Sequence, residues 1–265
     1  MSALATAEPW DLVAAAYTTD ALPYFEGFSR EALRLAAPPP GAHIADVAAG
    51  PGTLSLLAAA GGAAVSAIDL SPQMVAEFRA RVADAGLEAA IDVRVGDGQK
   101  LPFQSATFDA AFSMFGLMFF PDRAAGLREM KRVLKPGGRA VISSWIPFDG
   151  PFGVLLETAS ELVPGLPSAG DFALADEASI ARELSDAGLA NVAVHRVSQE
   201  LKASSFDAFW SSMERTNAPL VLLKHRLGPA RWQALGPKIR DKVRATLGDG
   251  PLTIGRGAFL GIGTA

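Results

Sequence analysis

The stretch IADVAAGPG, residues 44–52, decides the fold of this chain. A short apolar run reaches an acidic residue, passes through small residues and two glycines, and is followed by the helix-compatible segment TLSLLA, residues 53–58. Glycine adopts backbone angles that a residue with a Cβ avoids, so Gly50 and Gly52 allow a tight turn and let a ligand approach the main chain. The stretch therefore predicts a strand, a tight turn and a helix.

A second apolar run, VSAID at residues 65–69, ends in another acidic residue. Open α/β sheets bind ligands at the carboxyl ends of their strands, where a carboxylate such as that of Asp69 can accept hydrogen bonds from both hydroxyls of a ribose. The turn lacks the third glycine of the dinucleotide fingerprint because Ser55 stands there. Asp46 suits a cationic, amine-bearing ligand, held directly or through water, better than it suits phosphates. S-adenosylmethionine carries both a sulfonium and an ammonium group.

Composition sets further bounds on the protein. Its 265 residues fit one large domain or a core with a modest lid, and 49% of them are hydrophobic, enough for a sizeable core. A formal net charge of −4 argues against nonspecific contact with nucleic acid. The absence of cysteine excludes disulfides, thiol nucleophiles and cysteine-ligated zinc, and no other metal site is predicted. With no secretory pattern at its start and no apolar run long enough for a bilayer, the chain is predicted to be soluble and cytoplasmic.

The order of elements along the chain predicts a parallel sheet covered by helices. Residues 1–42 form an N-terminal helical arm that ends in a proline-rich turn, and strands alternate with helices from His43 onward. The strictly alternating strand at 91–95 is expected at an edge of the sheet. Helical lid segments are predicted at about 147–175 and 203–248, the second broken at three places. These breaks are at Pro219, Gly228-Pro229 and Gly236-Pro237. The remaining strands are predicted at 108–113, 139–145, 192–197 and 252–263.

Four signatures in sequence resemble the class I S-adenosylmethionine-dependent methyltransferases, in particular the small-molecule branch that includes quinone-biosynthesis methyltransferases. They are DVAAGPG at 46–52, IDLSPQM at 68–74, GDGQKLPF at 96–103, and the pair FD at 108–109 and PD at 121–122 that leads into RVLKPGG at 132–138. The resemblance covers roughly residues 43 to 145. A single glycine turn is weak evidence, whereas four signatures in the family's order are strong.

The resemblance implies a Rossmann-like sheet of seven strands in the order 3-2-1-4-5-7-6, the last strand antiparallel, in a methyltransferase domain spanning residues 43–265. It also implies a cofactor site for S-adenosylmethionine. The 46–52 loop surrounds the methionine moiety, Asp69 binds the ribose, and Leu70 and Met74 lie beside the adenine. The remaining implied cofactor residues are Asp97, Gly98 and Gln99 near the adenine, Ser113 and Met114 after the fourth strand, and Ala48, which replaces the first glycine of the family and predicts a slightly tighter fit.

The nucleophile and any general base are not given by the sequence. Methyl transfer from a sulfonium mainly requires alignment, so a base is needed only for a protonated acceptor. The weak candidates for a base are Tyr17, Tyr24 and His225, although packing of the N-terminal helices is the favoured role for both tyrosines. Phe115 and Phe119 are weak candidates for an apolar acceptor pocket.

Two alternatives remain open beside a small-molecule methyltransferase. One is a non-catalytic protein of the same fold that binds S-adenosylmethionine or a partner; the other is a nicotinamide-dependent oxidoreductase, disfavoured by the missing glycine and by Asp46. The methyl acceptor, the atom that is methylated and the oligomeric state are also open, a homodimer being one alternative. A nucleic-acid substrate is disfavoured, because the chain lacks the tetrad of adenine-N6 DNA methyltransferases and the cysteine of the cytosine-C5 type.

Overall fold

A computed structural model describes residues 3–146, 151–162 and 173–265. It contains a seven-stranded sheet in the order β3-β2-β1-β4-β5-β7-β6, which confirms the predicted order. The strands are β1 His43–Val47, β2 Ala64–Asp69, β3 Ile91–Val95, β4 Phe108–Ser113, β5 Leu134–Trp145, β6 Ala190–Ala203 and β7 Leu252–Thr264. The helices are α1 Glu8–Asp20, α2 Leu22–Ala36, α3 Thr53–Ala60, α4 Pro72–Asp84, α5 Arg123–Val133, α6 Pro151–Leu162, α7 Glu177–Asp186, α8 Phe206–Thr216 and α9 Ala218–Leu247.

The five strands from β1 to β5 are parallel, so their carboxyl ends share one edge of the sheet. β1 pairs with β2 on one side and with β4 on the other. β7 runs antiparallel to both β5 and β6, as predicted for the last strand. Because of this direction, β7 begins at the edge where the parallel strands end. Residues near its start therefore lie close to the turn that follows β1.

Side-chain caps fix where three of the helices begin. The hydroxyl of Ser71 accepts a hydrogen bond from the backbone N–H of Met74 at 3.0 Å and caps α4. Asp122 and Asp176 cap α5 and α7 in the same way. Each cap satisfies a backbone donor that the first helical turn leaves without a partner. β3, whose side chains alternate between buried and exposed, lies at the edge of the sheet as predicted.

Some predicted boundaries are wrong. β5 begins at Leu134 and not at Arg139, because Leu134 already pairs with Phe108 of β4, before an irregularity in the ladder that ends where Arg139 pairs with Ala110. α9 shows no break at Gly236-Pro237; its non-helical residue is Gly228, with φ 71°. A proline removes one backbone donor, which kinks a helix but need not end it. The predicted lid segment at about 147–175 lies partly outside the described residues.

Two apolar clusters cover the two faces of the sheet. One contains Phe108, Leu127 and Met130, and the other contains Ile44 and Phe78. The N-terminal arm belongs to the second cluster through Ala32 and Ala36 of α2, both buried. The arm is therefore packed on the sheet and takes part in its core. In the described part of the chain, no helix is both long and apolar enough to cross a membrane.

Candidate cofactor and acceptor site

The turn after β1 holds three residues in the left-handed region. Ala48 has φ 57°, Gly50 has φ 54° and Gly52 has φ 82°. A Cβ at Gly52 would overlap the ring of Phe78, whereas a Cβ at Gly50 would meet no atom within 4 Å. The absence of a side chain at Gly52 therefore allows Phe78 to pack behind the turn. At Gly50 the space beside the backbone is open to a ligand.

Alanine at position 48 is accommodated by a glycine opposite it. A Cβ added to Gly116, in the loop after β4, would overlap the Cβ of Ala48. The methyl group of Ala48 therefore occupies the space that a side chain at position 116 would need. The left-handed backbone at Ala48 costs about 1–2 kcal/mol relative to glycine, so the surrounding fold must hold it in place.

Asp69 is held at the end of β2 by two backbone donors. One of its carboxylate oxygens accepts a hydrogen bond from the N–H of Gly50 at 2.7 Å, and the other accepts one from the N–H of Ser71 at 2.8 Å. Burial raises the pKa of Asp69 to about 6, and the two N–H donors oppose that rise. The residue is 8% exposed and lines the cavity described below. Two backbone N–H groups, one in the turn after β1 and one just after β2, therefore orient the carboxylate of Asp69.

Asp46, at the end of β1, is the second buried carboxylate. The hydroxyl of Ser55 donates to it at 2.6 Å. Burial raises the pKa of Asp46 to about 7; the Ser55 hydrogen bond opposes the rise and the charge of Asp69 adds to it. A buried carboxylate whose pKa is raised further by the negative charge of a second one makes this edge of the sheet favourable for a cationic ligand.

The loop after β3 forms the next part of the site. The carboxylate of Asp97 accepts hydrogen bonds from the backbone N–H and the side-chain amide of Gln99, at 2.8 and 3.0 Å. The carbonyl oxygen of the Gln99 side chain accepts from the N–H of Asp122 at 2.8 Å. Gly98 is buried, and a Cβ there would overlap the ring of Phe120. The loop is thus tied to the start of α5.

The loop after β4 presents an aromatic ring to the same edge. Phe115 has φ 57°, and its backbone N–H donates to the hydroxyl of Ser143 at 2.7 Å. Its ring stacks on that of Trp145, with centroids 4.0 Å apart. A hydrogen bond from β5 and a stacked ring therefore hold this strained residue in one position.

These loops enclose one side of a cavity of about 290 Å³. The other sides come from α1, α2, α6, α8, the start of α9 and the start of β7. The ring of Trp10 on α1 contacts that of Phe119, with centroids 5.2 Å apart, and closes one edge. α1 is tied to the start of α4, because Asp11 accepts hydrogen bonds from the hydroxyl of Ser71 at 2.5 Å and from the N–H of Gln73 at 3.1 Å.

Most of the site residues predicted from the sequence line this cavity. The lining residues among them are Asp46, Ala48, Gly50, Asp69, Leu70, Met74, Asp97, Gly98, Gln99, Met114, Phe115, Phe119, Tyr17 and Tyr24. Gly52 is buried behind the turn, and Ser113 is buried with its hydroxyl accepting from the N–H of Leu117 at 3.1 Å. His225 is exposed on α9 and does not line the cavity. Ser113 and His225 therefore stand apart from the surface that a ligand would touch.

The two tyrosines line the cavity as donors. Burial holds the pKa of the Tyr17 hydroxyl above its ordinary value, with a further contribution from the charge of Asp69. Burial raises the pKa of Tyr24 to about 12, against the lowering effect of the Arg256 charge. Both hydroxyls therefore keep their protons at neutral pH, which disfavours either tyrosine as a general base. Tyr17 also packs with the cluster of Val13 and Met74.

Several lining residues were not singled out from the sequence. Trp10, Trp145 and Arg256 belong to three distant segments, and no motif links them. The sequence offers one weak signal for Arg256 as a site residue: it is a cationic residue between two glycines in an otherwise apolar strand. Within the described ranges, no group of three or more His, Asp or Glu side chains is arranged to hold a metal ion.

The sheet order, with one antiparallel strand and a ligand-sized cavity at the carboxyl ends of β1, β2 and β4, defines the class I methyltransferase fold. Comparison with known proteins agrees with this class. Residues 45–142 match the family described as "Methyltransferase domain". This segment of the chain is therefore similar to a methyltransferase domain.

Curated relatives match about half of the chain. An uncharacterized protein of Mycobacterium tuberculosis is 40% identical over 128 residues, 48% of this chain and 46% of the relative. The demethylmenaquinone methyltransferase of Beutenbergia cavernae is 40% identical over 124 residues, 45% of this chain and 49% of that enzyme. The chain thus spans about half the length of the curated relatives it matches, and the matched part resembles a methyltransferase of quinone biosynthesis.

Solved structures share the fold over most of the chain. The YcgJ protein of Bacillus subtilis aligns with a TM-score of 0.60 at 17% identity, covering 89% of this chain and 97% of that one. Phosphoethanolamine N-methyltransferase 2 of Haemonchus contortus, in complex with S-adenosyl-L-methionine, aligns with a TM-score of 0.58 at 20% identity, covering 89% of this chain and 52% of that one. At these identities the likeness concerns the fold.

Proposed function

We propose that this protein is an S-adenosylmethionine-dependent methyltransferase that acts on a small-molecule acceptor. The observation that carries the proposal is the buried carboxylate of Asp69, which lines the cavity and is oriented by the N–H groups of Gly50 and Ser71. A carboxylate in this place can accept hydrogen bonds from both ribose hydroxyls, because each of its oxygens keeps accepting capacity.

The residues of the cavity fit S-adenosylmethionine. The open side of Gly50 permits close approach to the main chain, and the buried carboxylate of Asp46 suits the cationic methionine end. The loop of Asp97 to Gln99 would hold the adenine, with Leu70 and Met74 against its faces. This distribution of carboxylates suits a cationic nucleoside better than the pyrophosphate of a nicotinamide dinucleotide.

The bound cofactor would supply an electrophilic methyl group on its sulfonium. The protein's own contribution is to align the acceptor and to exclude water, and alignment alone can lower a barrier by about 7–11 kcal/mol. Phe115, fixed by Ser143 and Trp145, would position the acceptor. The contact of Trp10 with Phe119 would close the site against water. Tyr17 and Tyr24 would donate hydrogen bonds, and an acceptor that arrives deprotonated needs no base.

Isothermal titration with S-adenosylmethionine, S-adenosylhomocysteine and NAD tests the cofactor assignment. We expect micromolar dissociation constants, near −8 kcal/mol, for the two adenosyl ligands and no binding of NAD. Asp69→Ala should abolish this binding while the circular dichroism spectrum is unchanged. Asp92→Ala is the matched control, because Asp92 is an exposed carboxylate on the neighbouring strand.

Turnover with a panel of phenols, amines and quinones then separates an enzyme from a non-catalytic binding protein. Methylated product from any of them supports the proposal. An unchanged affinity in Asp69→Ala would contradict the ribose assignment, and binding of NAD alone would replace the proposal with an oxidoreductase.

A further inference from the structure

The end of the cavity beyond Phe115 is walled by aromatic rings. Trp145 stacks on Phe115, and the ring of Tyr24 lies nearly parallel to that of Trp145, with an interplanar angle of 17° and centroids 6.4 Å apart. Phe25 meets Phe115 edge to face, at a centroid distance of 5.5 Å. Phe152 of α6 also lines this end, which is called here the aromatic end. Such walls favour a flat, apolar ligand.

A guanidinium is set among these rings. The central carbon of the Arg256 guanidinium lies 4.2 Å from the centroid of the Trp145 ring and 4.0 Å from that of Phe152. The two contacts place the guanidinium over two aromatic rings, and the N–H groups of a guanidinium lie in its plane. Among the described residues that line the cavity, Arg256 is the one cationic side chain. Planar, bidentate donors of this kind bind carboxylates and other anionic oxygens.

Among the described residues, three of the four acidic side chains that line the cavity lie at the other end. Asp46 and Asp69 lie at the ends of β1 and β2, and Asp97 follows β3, at the proposed cofactor end. Asp20 also lines the cavity and forms an ion pair with Arg215 at 2.7 Å. Positive charge at the aromatic end and negative charge at the cofactor end give the cavity two chemically different halves.

Tyr24 supplies a second donor at the aromatic end. Its hydroxyl is buried and has no hydrogen-bond partner among the residues that the structure describes. Buried polar groups in proteins nearly always have a partner, so a hydroxyl without one, on the wall of a cavity, is placed for a ligand atom. The Tyr24 hydroxyl and the Arg256 charge are near enough to influence each other electrostatically.

We infer that the aromatic end binds the acceptor as a flat apolar molecule bearing an anionic oxygen, with the guanidinium of Arg256 and the hydroxyl of Tyr24 as its two donors. The anionic oxygen is a carboxylate or a phenolate. This inference rests on the proposed function, since it names the acceptor class of the same site. It disfavours ammonium-bearing acceptors, because their charge would face the guanidinium of Arg256.

Three probes that share a naphthalene ring test the inference: the isosteric pair naphthoate and naphthamide, and naphthol. Each is titrated calorimetrically into the protein, with and without saturating S-adenosylhomocysteine. We expect naphthoate to bind at least tenfold more tightly than the uncharged naphthamide. Naphthol titrated from pH 7 to pH 9 separates the two sources of negative charge, because a phenolate preference makes its affinity rise as the hydroxyl ionises; the range stays below the pKa of Arg256, which burial lowers to about 10.

Variants assign the preference to the two donors. Arg256→Met should remove the tenfold preference for naphthoate, and Arg256→Lys should retain part of it. Tyr24→Phe should weaken naphthoate binding several-fold without affecting naphthamide. Arg196→Met is the matched control, because Arg196 also lies over an aromatic ring, that of Phe259, but is exposed on β6 and does not line the cavity.

The outcomes separate this inference from the proposed function. Equal affinities for naphthoate and naphthamide in the unaltered protein together with a naphthol affinity that does not rise with pH, or an undiminished preference in Arg256→Met, would overturn the anionic acceptor. Failure of S-adenosylhomocysteine to bind would overturn the cofactor assignment, while the titrations without it still report on the aromatic end. Retained S-adenosylhomocysteine affinity in Arg256→Met shows that a lost preference is not caused by misfolding.

Discussion

At the scale of single residues, the site depends on two carboxylates that the fold buries without a cationic partner among the described residues. Asp46 and Asp69 receive hydrogen bonds from Ser55, Gly50 and Ser71, yet their pKa values remain above the ordinary 3.8, at about 7 and about 6. Burial disfavours the charged form more than these donors favour it. Each pKa shift therefore has a consequence for ligand binding and for stability.

Binding of the adenosyl ligands should weaken as the pH falls. A protonated Asp69 offers fewer acceptors to a ribose, and a protonated Asp46 offers no negative charge to an ammonium group. The affinity for S-adenosylmethionine is expected to be constant above about pH 8 and to fall progressively through the pKa values of about 7 and about 6. Titration calorimetry from pH 5 to 9 measures this; an affinity independent of pH would contradict it.

The stability of the ligand-free protein should change in the opposite direction. Because the pKa of Asp46 is higher in the folded chain than its ordinary value, the folded state binds the proton more tightly, and stability falls as the pH rises from about 4 to about 7. Asp46→Asn removes this effect and keeps an oxygen acceptor for Ser55. We expect it to stabilise the ligand-free protein at pH 8 by up to about 4 kcal/mol and to have little effect at pH 4.

Denaturant unfolding at both pH values measures that change. Asp92→Asn, at an exposed position, serves as control and should leave stability unchanged. A destabilised Asp46→Asn protein at pH 8 would show that the carboxylate contributes more through its hydrogen bond than it costs through burial. Affinity for S-adenosylmethionine should decrease in the same variant.

At the scale of elements, the turn after β1 contains two glycines that have different structural roles. Gly50 and Gly52 both have positive φ, but only Gly52 faces a neighbouring side chain, Phe78 of α4. The first glycine keeps the ligand side of the turn open, and the second allows α4 to pack behind it. The same turn thereby joins the site to the core of the domain.

The two glycines should respond differently to alanine. Gly50→Ala is expected to cost about 1–2 kcal/mol of stability through backbone strain and to reduce the affinity for S-adenosylhomocysteine, because its methyl group enters the open side. Gly52→Ala should add overpacking against Phe78 and cost about 3 kcal/mol or more in total. Urea unfolding and calorimetry measure the pair. Equal stabilities would contradict the contact with Phe78.

At the scale of the whole molecule, the cavity joins segments from both ends of the chain. Trp10 and Arg256 line the same cavity, with the β1 to β4 loops between them in sequence. α1 contacts α4, α8 and α9, and α2 contacts α3 and β6. A ligand in the cavity would therefore touch the N-terminal arm and the sheet at once, and should hold the two together.

Ligand binding should protect the arm from proteolysis. With S-adenosylhomocysteine at 100 times its dissociation constant, the bound form gains about 2.7 kcal/mol, and opening of α1 and α2 should become rarer. Limited trypsin digestion followed by mass spectrometry should show slower cleavage at Arg30 and Arg34. Asp69→Ala should show no such protection. Equal cleavage with and without ligand would contradict a role for the arm in the site.

The order of the sheet and much of the proposed cofactor end were implied by the resemblance to a known family, whereas the sequence by itself determined the glycine turn and the two carboxylates beside it. These depend on neighbours in sequence: Gly50 follows β1 directly, Asp69 ends β2, and Ser71 caps the helix that comes next. Local patterns of this kind can be predicted because short spacings fix short distances. Boundaries were less predictable, since β5 starts early through pairing with strands far away in sequence.

Only the tertiary structure decided the composition of the aromatic end. Trp145, Phe152 and Arg256 come from β5, α6 and β7, and their meeting follows from the antiparallel course of β7 along β5. No spacing in the sequence encodes that meeting. Tertiary packing likewise raises the pKa of the Tyr17 and Tyr24 hydroxyls, which disfavours a tyrosine base. A pKa depends on burial and on neighbouring charges that only the folded chain brings together.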